Sequence, residues 1–205
     1  MKPTTRRPGA AWVLPVLGLL LCFAHTGAAQ APASPAPAAS QRLDQAFSAL
    51  DASDWSSAIR LFGELSQEFP GEAELFYYLG VAEASRGDDH AAALAFGKAA
   101  SLDPQLDWVQ ADLGISLFRL GEFGLAEEHL LEALLQGPDD ADVLLHLGLI
   151  DLAHGSEARG RKLLEESAAL EPERAALGFY EAASMELDRD NIDAALALLE
   201  RSVEA

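Results

Sequence analysis

Apolar residues in this chain recur three and four positions apart, in runs of helical length separated by short polar breaks. Leu43, Phe47 and Leu50 stand at i, i+4 and i+7, and the same spacing returns in Tyr77, Val81 and Ala84, in Ala111, Ile115 and Phe118, and in Leu145, Leu149 and Leu152. Such a spacing draws one stripe down one face of an α-helix. Between these triplets lie pairs at i, i+4: Ala58 with Phe62, Ala92 with Phe96, Ala126 with Leu130, and Gly160 with Leu164. The pattern predicts an all-α chain built of helix pairs. The first pair covers Gln41–Ala52 and Trp55–Gln67, the second Ala73–Arg86 and His90–Leu102, and the same plan continues through 107–140 and 141–174.

The breaks are as regular as the stripes. Pro70, Pro104, Pro138 and Pro172 recur every 34 residues, and the same interval separates Leu79-Gly80, Leu113-Gly114 and Leu147-Gly148. Gly87, Gly121 and Gly155 keep step, as do Ala92, Ala126 and Gly160. This Leu-Gly, Gly, Ala, Pro skeleton resembles the tetratricopeptide repeat family, and the resemblance implies helix–turn–helix units stacked into a superhelical solenoid. Repeats then fall at about 39–72, 73–106, 107–140, 141–174 and 175–205. The fifth needs one extra residue in the turn before it, which sets Phe179, Ala182, Ala183, Ile192, Ala195 and Leu199 on the core positions.

Each mark has a physical reason. Glycine inside a helix costs ~1 kcal/mol against alanine, so Gly80, Gly114 and Gly148 imply a close approach by Ala92, Ala126 or Gly160 of the second helix. Gly87, Gly121 and Gly155 suit the left-handed conformation that ends a helix. The prolines stop the second helix. Phe96, Leu130 and Leu164 fill the wedge between repeats.

Two segments precede the repeats. Residues 1–29 join a basic start (Lys2, Arg6, Arg7), an apolar run from Ala10 to Ala24 and the small residues Gly27-Ala28-Ala29. That is the layout of a secretory signal peptide cleaved after Ala29. The apolar run is shorter than the ~20 residues that span hydrocarbon as a helix. Residues 30–39 form a linker. From Ala31 to Ala39 it holds only Ala, Pro and Ser, a composition that predicts an extended tether. The solenoid occupies 40–205. The expectation is an exported protein of the bacterial cell envelope, in the periplasm, with secreted and membrane-anchored forms as the alternatives.

Charge narrows the partners. The chain carries 33 acidic against 14 basic residues, a net charge of −19, and becomes more negative still without the leader. Such a surface repels phosphate backbones and anionic lipid, so nucleic acid and the membrane surface are excluded as expected partners. The single cysteine, Cys22, lies in the leader. The four histidines outside the leader, His90, His129, His146 and His154, show no metal-ligand spacing. No phosphate loop or Gly-x-Ser-x-Gly elbow occurs. The expectation is a non-enzymatic protein without cofactor or metal.

The resemblance places function on the concave face lined by first helices. The groove positions hold Phe47 in repeat one, Tyr77 and Val81 in repeat two, and Trp108, Ile115 and Phe118 in repeat three. Repeat four offers Asp142, Leu145, Leu149 and Leu152, and repeat five Tyr180, Ser184 and Leu187. A subset of the family grips a C-terminal carboxylate through Lys, Arg and Asn on this face. Here Phe47, Val81, Ile115 and Leu149 stand at the asparagine positions, so that specificity is not expected. The sequence predicts an apolar groove for a partner helix or peptide segment, anchored by Tyr77, Trp108, Phe118 and Tyr180. The alternative is a structural subunit of a secretion, pilus or outer-membrane assembly. It would self-associate, as a homodimer for example, through its groove or through a last helix whose Ile192, Leu196, Leu199 and Val203 turn inward.

Overall fold

A computed structural model describes residues 36–106, 108–137, 140–187 and 190–204. The leader lies outside the described residues. Those described form ten helices: α1 (Ala36–Asp51), α2 (Trp55–Glu68), α3 (Ala73–Arg86), α4 (Asp89–Leu102), α5 (Val109–Arg119), α6 (Phe123–Gln136), α7 (Ala141–Ala153), α8 (Glu157–Leu170), α9 (Pro172–Leu187) and α10 (Ile192–Glu204). Each helix packs on the next, and the first helices of successive repeats, α3, α5, α7 and α9, also touch in line. This is the five-repeat solenoid expected from the ladder.

Helix starts are marked by aspartates. Asp54 accepts from the backbone N–H of Ser57 and Asp88 from that of Ala91, while Asp140 accepts from both Asp142 and Val143. Each satisfies donors that the first helical turn leaves unpaired.

Every first helix ends in the same hydrogen-bonded turn. At the end of α3, Gly87 N–H donates to the Ala84 carbonyl and Asp88 N–H to that of Glu83. The two bonds recur at Ser53 and Asp54, Gly121 and Glu122, Gly155 and Ser156, and Asp190 and Asn191. The residue at the apex has positive φ in all five: 56° at Ser53, 89° at Gly87, 79° at Gly121 and Gly155, and 60° at Asp190. This is the left-handed helix ending in which two otherwise orphaned carbonyls are bonded. Its spacing is 34 residues until the last copy, where 155 to 190 adds the one extra residue.

The wedge residues are buried throughout. Phe62, Phe96, Leu130 and Leu164 are at most 2% exposed, and burying each side chain contributes roughly 1.5–3 kcal/mol. The glycines facing them explain the fit. A Cβ on Gly114 would stand 2.7 Å from Leu130 Cγ and 3.2 Å from the Ala126 carbonyl oxygen. On Gly148 it would stand 3.0 Å from the carbonyl oxygen of Gly160. Gly80 differs from the expected contact with Ala92, because the Phe96 ring fills its space, 2.6 Å from such a Cβ.

Two boundaries and one buried face depart from expectation. First, α1 begins at Ala36, inside the stretch expected to be extended. Pro37 falls in its first turn, where no backbone N–H is needed, and Ala39 is buried in the first core cluster. Second, α5 begins at Val109, later than its counterparts α3 and α7. Trp108 stands before it with φ 61°, at the capping position rather than on the helix. Third, α10 buries Ala194, Ala195 and Leu198, whereas Ile192, Leu196 and Val203 are 60%, 54% and 88% exposed. They do not turn inward as expected. The equivalent of Ile192 two repeats earlier, Phe123, is covered by Phe118 and, from the repeat after it, by His154. No further repeat among the described residues covers Ile192.

Candidate functional site

The residues expected in the groove separate into a buried and an accessible set. Leu149 is fully buried and Leu145 is 8% exposed, seated directly against Gly178 of α9. Phe47 is 9% exposed and meets Phe62 and Tyr78 edge to face, with ring centroids 5.3 and 4.7 Å apart. These three side chains hold repeats together. The physical reason is curvature: the first helices approach one another closely enough for their groove-side residues to become junction core.

Tyr77, Val81, Trp108 and Phe118 are half-buried, Ile115 is 7% exposed, and Tyr180 is 58% exposed on α9. Val81 and Ile115 come together. They form the apolar side of a cleft of about 330 Å³ between α3, α5 and α7, with Ala84 and Ser85 at its edge. Phe118 packs against Phe123 at 5.4 Å and against His146 at 5.1 Å, so it supports α7 as much as it faces the groove. Trp108 and Tyr180 do not line this cleft.

The floor of the cleft is polar, contrary to a face expected to be apolar along its length. Asp112, Ser116, Arg119, Asp142 and His146 all line it. The Tyr77 hydroxyl donates to Asp112 Oδ2 at 2.9 Å, and Ser116 Oγ donates to the Asp112 carbonyl oxygen at 2.9 Å. His146 Nδ1 donates to the Asp142 carbonyl oxygen at 2.7 Å. Burial pushes the His146 imidazole below the usual histidine range, against the opposing pull of that bond and of the Asp142 carboxylate. Arg119 donates to Asp89 Oδ1 at 3.3 Å from the cleft's lip. On α9, burial raises the Glu181 carboxyl above its ordinary value, partly offset by Arg119.

The sequence held a signal for this floor. Tyr78, Asp112, His146 and Glu181 occupy one register position in successive repeats, one residue beyond Tyr77, Ala111, Leu145 and Tyr180. That column sets Asp112, His146 and Glu181 in a row beside the apolar stripe, which masks them in the linear sequence.

The recess brings an apolar wall, two carboxylates and an imidazole together. Among the described residues, no group of three His, Cys, Asp or Glu side chains could hold a metal ion. Also among them, no helix is long and apolar enough to cross a membrane.

Comparison with known proteins agrees with this architecture. The tetratricopeptide repeat pattern matches residues 43–107 and 111–176. No curated protein matches the chain by sequence. Among solved structures, MamA (residues 41 to end) from Desulfovibrio magneticus RS-1 superposes with a TM-score of 0.68 at 22% identity, over 81% of this chain and 93% of that one. YrrB, described as a TPR protein with an unusual peptide-binding site, gives 0.64 at 18% identity, over 80% of this chain and 84% of its own. The Cut9–Hcn1 hetero-tetramer of the APC/C gives 0.64 at 20% identity over 80% of this chain, which spans 33% of the matched one. At these identities the likeness is one of fold.

Proposed function

The chain belongs to the tetratricopeptide repeat family, and we propose on that footing that it is a non-enzymatic scaffold holding a protein partner in its concave groove. The single observation that carries this reading is the cleft between α3, α5 and α7. It is open to the surface, walled by Val81 and Ile115, and built from three consecutive first helices. A helix or extended segment of a partner laid along these helices would place a side chain in the recess.

The scaffold acts outside the cytoplasm, in the bacterial cell envelope. The motive is the leader, with its basic start, apolar run and small-residue end before Gln30. One experiment tests both statements. A photo-crosslinking residue is placed at Ser85, on the cleft, or at Leu94, which is 66% exposed on the second helix α4. The expected outcome in intact cells is one partner captured from position 85 and not from 94, joined to a chain whose first residue is Gln30. Equal capture from both positions overturns the groove reading. A captured chain that still begins at Met1 overturns cleavage.

A second reading has its own observation. Ile192, Leu196 and Val203 leave α10 with an exposed apolar stripe, which fits a structural subunit that associates through this edge.

A further inference from the structure

We infer that α9 and α10 form a seat for an amphipathic helix of a partner protein, with apolar residues at i, i+4 and i+7 and lysine or arginine beside them. The inference rests on the reading of α10 as an associating edge and adds what that edge takes.

The solenoid itself shows the seat filled four times. Each helix pair is closed by the first helix of the next: α3 packs on α2, α5 on α4, α7 on α6 and α9 on α8. Along α7 the covered positions are Leu145, Leu149 and Leu152, buried in one core cluster with Phe179, Ala182 and Ala183 of α9. In the next repeat, 35 residues on, the same positions hold Tyr180, Ser184 and Leu187, and all three are exposed. The second helices repeat the contrast. Ser66, Ala100, Leu134 and Ala168 are buried or half-buried, whereas Val203 in the same register is exposed. Ile59, Ala93, Glu127 and Arg161 are half-buried, whereas Leu196 is exposed. An outermost repeat ordinarily closes a solenoid with a polar face. Here Tyr180, Leu187, Leu196 and Val203 make that face apolar, and no helix among the described residues lies over it.

The helices that fill the earlier seats give the pattern of the guest. α3 brings Leu75, Leu79 and Ala82 against the core of the first pair, and α7 brings Val143, Leu147 and Ile150 against that of the third. Both rows run i, i+4, i+7, along one face of a helix. A second copy of the chain does not offer this row at its own open end. In that register α1 carries Gln41, Gln45 and Ser48, all exposed. Stacking head to tail would bury three polar side chains on an apolar seat. A two-fold pair of α10 edges would instead bring together two chains of charge −19.

Charge sets the margins of the guest. Asp193 and Glu200 are exposed on the outer side of α10. Arg201 is turned away from it, over the Phe179 ring at 5.4 Å and 3.8 Å from Glu165. A helix laid on Leu196 and Val203 meets carboxylates at its margin, and lysine or arginine there complements them. The guest is a basic amphipathic helix.

The test pans a display library of alanine-based helical peptides, randomised on one face and its margins, against the full chain. The expected binders carry apolar residues at i, i+4 and i+7 with Lys or Arg beside the row. They should bind a Leu196→Asp, Val203→Asp variant about tenfold weaker or worse than wild type. Both residues are exposed, so the fold is kept; should that variant melt early, Tyr180→Asp on the other wall must show the loss instead. Replacing each Lys or Arg of a binder by Glu should weaken it by a similar factor. A library without binders, binders as tight on the variants as on wild type, or glutamate forms that bind as well as the originals each overturn the inference.

Light scattering of the chain alone separates the two levels. If it shows a dimer that Leu196→Asp, Val203→Asp makes monomeric, the edge reading stands and the partner inference falls, because a second copy fills the seat. If the wild type is a monomer and no binder is lost in the variants, both fall.

Discussion

Glycines of this chain occupy opposite kinds of site, and a single methyl group tells them apart. Gly114 lies where an added Cβ would press on Leu130 and the Ala126 carbonyl, whereas Gly97, inside α4, has nothing within 4 Å. Gly114→Ala should therefore destabilise the fold by ~1–3 kcal/mol through overpacking. Gly97→Ala should stabilise it by ~0.5–1 kcal/mol through helix propensity. Urea denaturation of the two variants checks both signs, and a loss in each would refute the assignment of Gly97 as space without function. At this scale the sequence was legible where a residue type has one use. Gly87, Gly121 and Gly155 could be placed in left-handed turns because the turn demands glycine or a residue that tolerates positive φ. Ser53 and Asp190 do the same work and were not legible, since serine and aspartate have many uses. The polar floor was hidden for a similar reason. Asp112 and His146 are single residues among leucines, and only the register column sets them side by side.

Among elements, the repeating unit is a helix pair closed by a left-handed turn, and the five turns differ in how well their apex residue suits it. Ser53 adopts φ 56° at the end of α1, a conformation that costs a residue with a Cβ ~1–2 kcal/mol relative to glycine's freedom there. Ser53→Gly should raise stability by ~0.5–1 kcal/mol after glycine's greater chain entropy is subtracted. The same change at Asp190 should yield less, because aspartate tolerates this region better. Thermal melts of the two variants compare them directly; a drop in melting temperature for Ser53→Gly would contradict the turn's strain. Element existence was readable from the ladder for all five repeats, while element starts were not. The tether's alanines continue into α1 because Ala39 finds a buried position, a tertiary fact. Trp108 is displaced from α5 by a local conformation that no periodicity announces.

On the scale of the molecule, two forces act in opposition. The stripe of Ile192, Leu196 and Val203 favours association of α10 with another surface, while a charge of −19 on each copy repels a second copy. Salt screens the repulsion and leaves the apolar contact in place. If the chain pairs with itself through this edge, light scattering should show a monomer at low ionic strength and a larger species at high ionic strength. Leu196→Asp with Val203→Asp should then hold it monomeric throughout. A monomer at every salt concentration would remove the self-association reading.

The contacts that run in line from α3 through α5 to α7 have a mechanical meaning as well. Because the main helix contacts among the described residues run between neighbouring repeats, the bend of the body is the sum of small rotations, one at each junction. The chain is in this sense a coil spring, and pulling its ends apart is shared among the junctions rather than borne by one. A guest seated across α3, α5 and α7 bridges two of those joints at once. It would pin both rotations and stiffen the middle of the spring while leaving its ends free to flex.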